Sequence, residues 1–289
     1  MEKVILDCDN TFGLPNRDID DGLTLLYLLG EAVIDLLGVS LTHGNGTPAE
    51  VLQAAQTFKT CLQLQVETYP APSAALSAPA FLAQQVAAAP HEVTILATGA
   101  LTNLFSASQI DPNFFKKTKQ IIVMGGVTRP LQVNGRFVRE LNFSADAAAA
   151  QAVLLSDANI AIMNGQLTAH AFFSVKELKA LQTRLAEKIP ARAFAWFQEV
   201  VTAWLEWNQI HFGFNGFCNW DMTTALFLTH PALFSAEEVL LAPQQTQLAE
   251  GILTFTNDPE KGKKVRMPAH LLDLEAFNQF MVAAIGEAF

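Results

Sequence analysis

The stretch VILDCDNTFGLPNRDIDDGLTLLYLL, residues 4–29, sets the reading of the whole chain. Val4-Ile5-Leu6 is a short apolar run that ends in Asp7-Cys8-Asp9-Asn10-Thr11. A loop carrying Gly13 and Pro15 then leads through Asp18, Asp20 and Asp21 into the apolar, helix-like Leu23–Leu29. Buried strand, polar turn and helix make one βα unit. The pattern repeats outward. Ile34–Ser40, Val93–Leu96, Ile121–Met124 and Ile160–Met163 read as further buried strands, with helix-like Pro48–Gln63, Leu101–Ser108 and Asp146–Leu155 between them. This alternation predicts an α/β fold, a mostly parallel central sheet flanked by helices. Val175–Gln209 is helical and rich in aromatics. Gly251–Phe255 with Val265, broken by Asn257-Asp258-Pro259 and Lys261-Gly262, reads as a late β-hairpin, and Leu274–Ile285 as a terminal helix. No internal repeat or Pro/Ser-rich linker is visible, so residues 1–289 are expected to form a single domain.

Composition narrows the function. Hydrophobic residues make up 51% and charged residues 16%, enough apolar material for a sizeable core, and the net charge is −10. An acidic chain gains nothing from nucleic-acid phosphates or anionic lipid, so neither a nucleic acid nor a membrane is the expected partner. Cys8, Cys61 and Cys218 are few, odd in number and far apart, which suits a reducing compartment. Met1-Glu2-Lys3 leads straight into Val4, and no run of about 18 apolar residues occurs, so a cytoplasmic location is expected.

Ligands of parallel sheets bind beyond the carboxyl ends of the strands. There the sequence offers Asp7-Cys8-Asp9, His43-Gly44-Asn45-Gly46, Thr98-Gly99, Met124-Gly125-Gly126 and Asn164-Gly165. Asp7, Asp9, Asp18, Asp20 and Asp21 fall within fifteen residues. Gathered in one crevice they repel one another, and a bound cation is the usual remedy. Oxygen donors without neighbouring His or Cys point to calcium or magnesium. The plainer reading is that Asp18, Asp20 and Asp21 favour the positive end of the helix they open. Asn45 and Asn134, beside glycines, also read as turn residues, and Met124 as core packing near a pocket.

The ordered set of motifs resembles the inosine–uridine preferring nucleoside hydrolase family. Asp7-Cys8-Asp9 with Asp20-Asp21-Gly22 is similar to its N-terminal aspartate signature, with a longer intervening loop. His43-Gly44-Asn45, Thr98-Gly99-Ala100-Leu101-Thr102-Asn103, Met124-Gly125-Gly126, Asn134, Glu140-Leu141-Asn142 and Trp220-Asp221 resemble further family segments in the same order. The resemblance implies hydrolysis of the bond between nucleobase and ribose. It implies calcium (Ca2+) held by Asp9, Asp21, Asp221 and the Thr98 carbonyl, with Asp9 taking a proton from water. Asp20, Asn45, Asn134, Glu140 and Asn142 would grip ribose, and Asp7 would brace the cluster from behind. It also implies a small-molecule ribonucleoside as partner and a homo-oligomer, dimer or tetramer.

Two departures stand out. Trp220 occupies a position where many family members have a histidine thought to assist departure of the base. Indole has no proton to give at neutral pH, but it stacks on a nucleobase, which suggests a purine preference. His211 is the reserve for proton delivery and for base contact. The stretch between Asn45 and Thr98 is also shorter, without the family's His-Gly segment. Two rivals remain at this stage. Asp7-Cys8-Asp9-Asn10-Thr11 fits the opening of haloacid-dehalogenase-like, magnesium-dependent phosphatases, in which the first aspartate attacks phosphorus. A non-catalytic nucleoside- or sugar-binding protein is the third reading.

Overall fold

The computed structural model describes residues 1–71 and 77–289. In chain order its strands are β1 (Glu2–Cys8), β2 (Ile34–Leu41), β3 (Thr68–Tyr69), β4 (Val93–Ala97), β5 (Gln120–Met124), β6 (Leu131–Val133), β7 (Arg136–Val138), β8 (Ile160–Met163), β9 (Phe172–Ser174), β10 (Gly216–Cys218), β11 (Glu238–Leu241) and β12 (Lys263–Arg266). Eight of them form one sheet in the order β11-β12-β8-β5-β4-β1-β2-β3. All neighbours in it are parallel except β11 and β12, which pair antiparallel. The α/β architecture expected from the sequence is therefore present. The late antiparallel pair is present too, although its first arm is Glu238–Leu241. Gly251–Phe255 runs beside it and makes only single bridges, Ile252 to Val127 and Phe255 to Leu241.

Burial on both faces explains why the strands read as continuous apolar runs. Val4, Leu6 and Cys8 of β1 point into one core layer with Leu96, Ile122 and Met163, while Ile5 points into the other with Ile95, Ile121 and Ile160. Side chains alternate across a strand, so a sheet covered by helices on both sides needs hydrophobes at every position. The helices Asp20–Gly30, Pro48–Leu62, Thr102–Ile110 and Ala147–Leu154 follow the strands as anticipated. The terminal helix spans Leu274–Ile285. The aromatic segment folds as two helices, Val175–Leu185 and Ala191–Phe212. No described helix is long and apolar enough to cross a membrane.

Chain order and sheet order together place the site. From β1 the chain winds outward through β2 and β3, then returns to β4 on the other side of β1 and winds away through β5 and β8. The order reverses between β1 and β4, and the loops leaving two such strands diverge to opposite faces, opening a crevice at their carboxyl ends. Asp9 and Thr98 are the first residues beyond those two ends.

Candidate active site

Asp9 leaves the end of β1 and is almost wholly buried. The backbone N–H of Asn45, in the turn after β2, donates to its Oδ2. The chain packs against it closely on two sides. A Cβ added to Gly44, whose φ is +140°, would stand 2.8 Å from Asp9 Oδ2, and one added to Gly99 would stand 2.5 Å from Thr42 and 3.0 Å from Asp9 Cγ. Both glycines are thus required by the approach of backbone to carboxylate. Behind Asp9, the Asp7 Oδ1 accepts from Ser40 Oγ at 2.5 Å and from Asn103 Nδ2 at 2.9 Å. The Asp7 Oδ2 is buried without a partner among the described residues.

Asp20 and Asp21 open the helix Asp20–Gly30, the first turn of which faces the same crevice. Thr98 Oγ donates to Asp21 Oδ1 at 2.6 Å, and Asp20 Oδ2 accepts the Asp221 backbone N–H at 2.9 Å. The carboxyls of Asp9 and Asp21 lie within hydrogen-bonding reach of each other, as do those of Asp20 and Asp221. Burial dominates their electrostatics. It pushes Asp7 up to about 7 and Asp9 to about 6, the latter opposed by the Asn45 N–H. It holds Asp21 and Asp221 well above the ordinary carboxylate range, with neighbouring aspartates adding to the effect. Asp20 is raised by the same burial.

Among the described residues no three His, Cys, Asp or Glu side chains stand as a ready-made metal cage. Instead Asp9 faces Asp21, and Asp20 faces both Asp18 and Asp221. The donor chemistry nevertheless fits a hard cation: Asp9, Asp21, Asp221 and the Thr98 carbonyl line one crevice and offer only oxygen. Packing so many acidic groups without a counter-charge is costly, and a divalent ion offsets it.

Asn142 and Glu140 close the opposite wall. Asn142 Nδ2 donates to the carbonyls of Thr98 and Met124, both at 3.0 Å, and lies 3.2 Å from Met124 Sδ. Its donors are committed to holding those carbonyls, and a carbonyl has a second lone pair to spare. Glu140 lines the crevice, but its carboxylate accepts four backbone N–H groups: Gly126, Asn142 and Phe143 at Oε1, and Ser144 at Oε2. Glu140 Oε1 is thereby committed to positioning Asn142, while Oε2 accepts from Ser144. Glu140→Gln replaces acceptors with an amide group facing N–H donors, and is expected to cost about 1–3 kcal/mol of stability. A thermal melt checks this, and an unchanged midpoint would remove Glu140 from the positioning role.

Of the residues expected from sequence, Asp9, Asp20, Asp21, Asn45, Thr98, Met124, Glu140, Asn142, Trp220 and Asp221 all line one crevice. Two residues lie elsewhere. Asn134, at φ +47° in the Asn134-Gly135 turn joining β6 to β7, donates to the Phe212 carbonyl at 2.6 Å. His211 is exposed at the end of its helix, its ring stacked on Trp207 and its Nδ1 2.8 Å from the Trp207 carbonyl. Asp18, to which sequence reading gave no individual role, faces the crevice, and burial beside Asp20 holds its carboxyl well above the usual range. Asp7 does not line the crevice and is completely buried. That deprives the phosphatase reading of its nucleophile.

Comparison with known proteins bears on the family and the fold. The family described as "Inosine-uridine preferring nucleoside hydrolase" matches residues 64–279. The chain is 24% identical to "Probable uridine nucleosidase 2" of Arabidopsis thaliana, over 89% of this chain and 86% of that protein. It is 23% identical to "Pyrimidine-specific ribonucleoside hydrolase RihB" of Escherichia coli, over 82% and 81%. Among solved structures, the "Purine-Preferring Ribonucleoside Hydrolase from Gardnerella vaginalis" superposes with a TM-score of 0.81 at 21% identity, covering 99% of each chain. At that identity the superposition establishes the shared fold.

Proposed function

The chain belongs to the inosine-uridine preferring nucleoside hydrolase family, and from that premise we propose that it is a calcium-dependent hydrolase of purine ribonucleosides, releasing ribose and free base. One observation carries the reading. Asp9, Asp21, Thr98 and Asp221 come from four separate segments, yet they line the same crevice as Trp220. Oxygens suited to a hard cation thus stand beside an aromatic face suited to a base.

Breaking an N-glycosidic bond builds positive charge on the ribose, and buried carboxylates stabilise that charge as it develops. Calcium held by Asp9, Asp21, Asp221 and the Thr98 carbonyl would offset the carboxylates' charge and make a nearby water more acidic. Asp9 takes the proton from the attacking water. Its placement by Gly44, Gly99 and the Asn45 N–H supports that role. Asp20 and Asn142 hold ribose hydroxyls, and Asn45 contributes from the turn after β2. The Asn45 side chain is itself held by Thr11, to whose Oγ its Nδ2 donates at 2.7 Å. Asn134 and His211 stand outside this scheme because neither lines the crevice.

Incubation with inosine and uridine, read by reducing-sugar release beside a generic phosphatase assay, tests the reading. Purine preference rests on Trp220, half-buried at the edge of the crevice. Base–aromatic stacking is worth on the order of 1–3 kcal/mol, so Trp220→Ala is expected to lower kcat/KM for inosine about ten- to a hundredfold. The loss should be smaller for a riboside with an activated leaving group. Preference for uridine, or equal losses on both substrates, would defeat the stacking role and leave the hydrolase assignment standing.

A further inference from the structure

Trp220 belongs to a wall shared by the crevice and a second cavity beyond it, together with Asp18, Asn45, Val138 and Leu141. A base seated against Trp220 stands at that wall. A neutral base departs with the electron pair of the broken bond and is a poor leaving group until a proton neutralises it. We propose that Asp18 supplies this proton, as the general acid of the reaction. The proposal rests on the ribosyl-hydrolase reading and adds the proton donor that Trp220 cannot be.

Asp18 is the one ionisable side chain, among the described residues, that lines both cavities. The alternatives fail on chemistry or on place. Arg17 and Arg139, the cations on these walls, do not give up their protons. Burial pushes the Cys218 thiol up to about 12, far above the range in which a general acid works well. Glu140 turns its carboxylate to four backbone N–H groups. His211 lines neither cavity.

The loop fixes the carboxyl and its surroundings keep it protonated. Thr11 Oγ donates to the Asp18 carbonyl and the Ile19 N–H to Asp18 Oδ1, both at 2.8 Å. Asp18 and Asp20 then lie within hydrogen-bonding reach, and Asp221 and Cys218 are the other titratable groups nearby. Two carboxyls in such contact need a proton between them. Asp20 also accepts the Asp221 N–H at 2.9 Å, which favours its ionised form, so the proton resides on Asp18. Burial and the charge of Asp20 act in the same direction. Arg17 is turned away, donating to the Asn45 carbonyl at 2.8 Å and standing 3.9 Å from Glu50. In the reaction the water oxygen bonds to the anomeric carbon and the C–N pair passes to the base. The Asp18 proton joins a ring nitrogen of that base. The water proton goes to Asp9, and exchange with solvent returns one to Asp18. Products are ribose and a neutral base.

The test compares inosine with p-nitrophenyl riboside, whose leaving group departs without a proton, on the full-length, calcium-supplied protein. Asn matches a protonated Asp in shape and charge, so Asp18→Asn should fold normally. It should lower kcat/KM for inosine at least about a hundredfold and for p-nitrophenyl riboside less than about threefold. The wild-type rate on inosine should fall about tenfold per pH unit as pH rises above the Asp18 pKa, because the acid form is lost. That limb should be absent with p-nitrophenyl riboside, a comparison that needs no variant. Infrared difference spectra at neutral pH give a readout independent of turnover: the C=O stretch of a carboxylic acid should appear in the wild type and vanish in Asp18→Asn. Equal losses on the two substrates would make Asp18 a positioning residue and overturn the proposal, as would the lack of that band or of the limb. If the wild type hydrolyses neither riboside, the hydrolase reading itself fails and the proposal falls with it.

Discussion

Asp9→Asn is expected to lower kcat by about a hundred- to ten-thousandfold, the range contributed by a positioned general base. The substitution is nearly isosteric, and the residue sits where backbone closes on it from two sides, so the lost rate reports a lost proton acceptor and a weakened calcium donor rather than displacement. Folding should not suffer. Asp9 is a buried acid whose carboxyl is pushed up to about 6, and an amide removes a charge that the metal-free fold tolerates poorly. The same placement sets the acid limb of the rate profile. Asp9 accepts a proton only when ionised, so turnover falls as pH drops through its pKa. Calcium beside it lowers that value, which puts the limb of the loaded enzyme below pH 6. Steady-state kinetics on inosine from pH 4.5 to 8 measure both effects. Near-normal turnover in Asp9→Asn would mean that another group activates the water.

Much of this could be read from the sequence because both signals involved are local. Strands buried on two faces appear as apolar runs, and Ile160–Met163 and Leu274–Ile285 end where the pattern ends. The aspartates announce themselves by position, each one step past a strand or at a helix start. The helix Ala78–Ala88 went unread for the converse reason. Ala78, Phe81, Leu82, Ala83 and Val86 are all buried and the rest is mostly alanine and glutamine, so no polar stripe marks a 3.6-residue period. It lies in the stretch between Asn45 and Thr98 where the family's His-Gly segment was not recognised; residues 72–76 of that stretch lie outside the described residues. The β6–β7 hairpin did carry a signal, Asn134-Gly135, the pair favoured where two successive residues take positive φ.

Side-chain roles were harder to read, because they depend on which lone pairs remain free after folding. Nothing in Glu140-Leu141-Asn142 reveals that four backbone N–H groups converge on the glutamate. Asp18 could not be told from Asp20 and Asp21 by sequence, since all three precede one helix. Only the path of the loop, held by Thr11 on Asp18 and by Arg17 on Asn45, brings Asp18 to the wall of the crevice.

Removing divalent ions is expected to abolish turnover, with calcium restoring it, and to destabilise the protein in a pH-dependent way that turnover alone would not reveal. The buried carboxyls of Asp7 and Asp9 are raised to about 7 and about 6, from the ordinary 3.8, and those of Asp20, Asp21 and Asp221 are raised as well. Between pH 4 and 7 the metal-free fold therefore binds more protons than the unfolded chain. The stability these carboxyls contribute is complete below about pH 4 and is lost as pH rises through 6 and 7. For Asp9 alone the shift corresponds to on the order of 3 kcal/mol, which for a chain of 289 residues is several degrees in Tm. Calcium competes with protons for the same oxygens, so it should raise Tm strongly at pH 8 and little at pH 4.5. Thermal melts in calcium and in chelator across this range make the comparison. Asp221→Asn supplies the control, since removing one charged donor should shrink the calcium effect at pH 8. Equal melting temperatures with and without calcium at pH 8 would rule out a cation held by Asp9, Asp21 and Asp221. Equal melting at both pH values in chelator would show instead that the carboxyls find their counter-charge elsewhere.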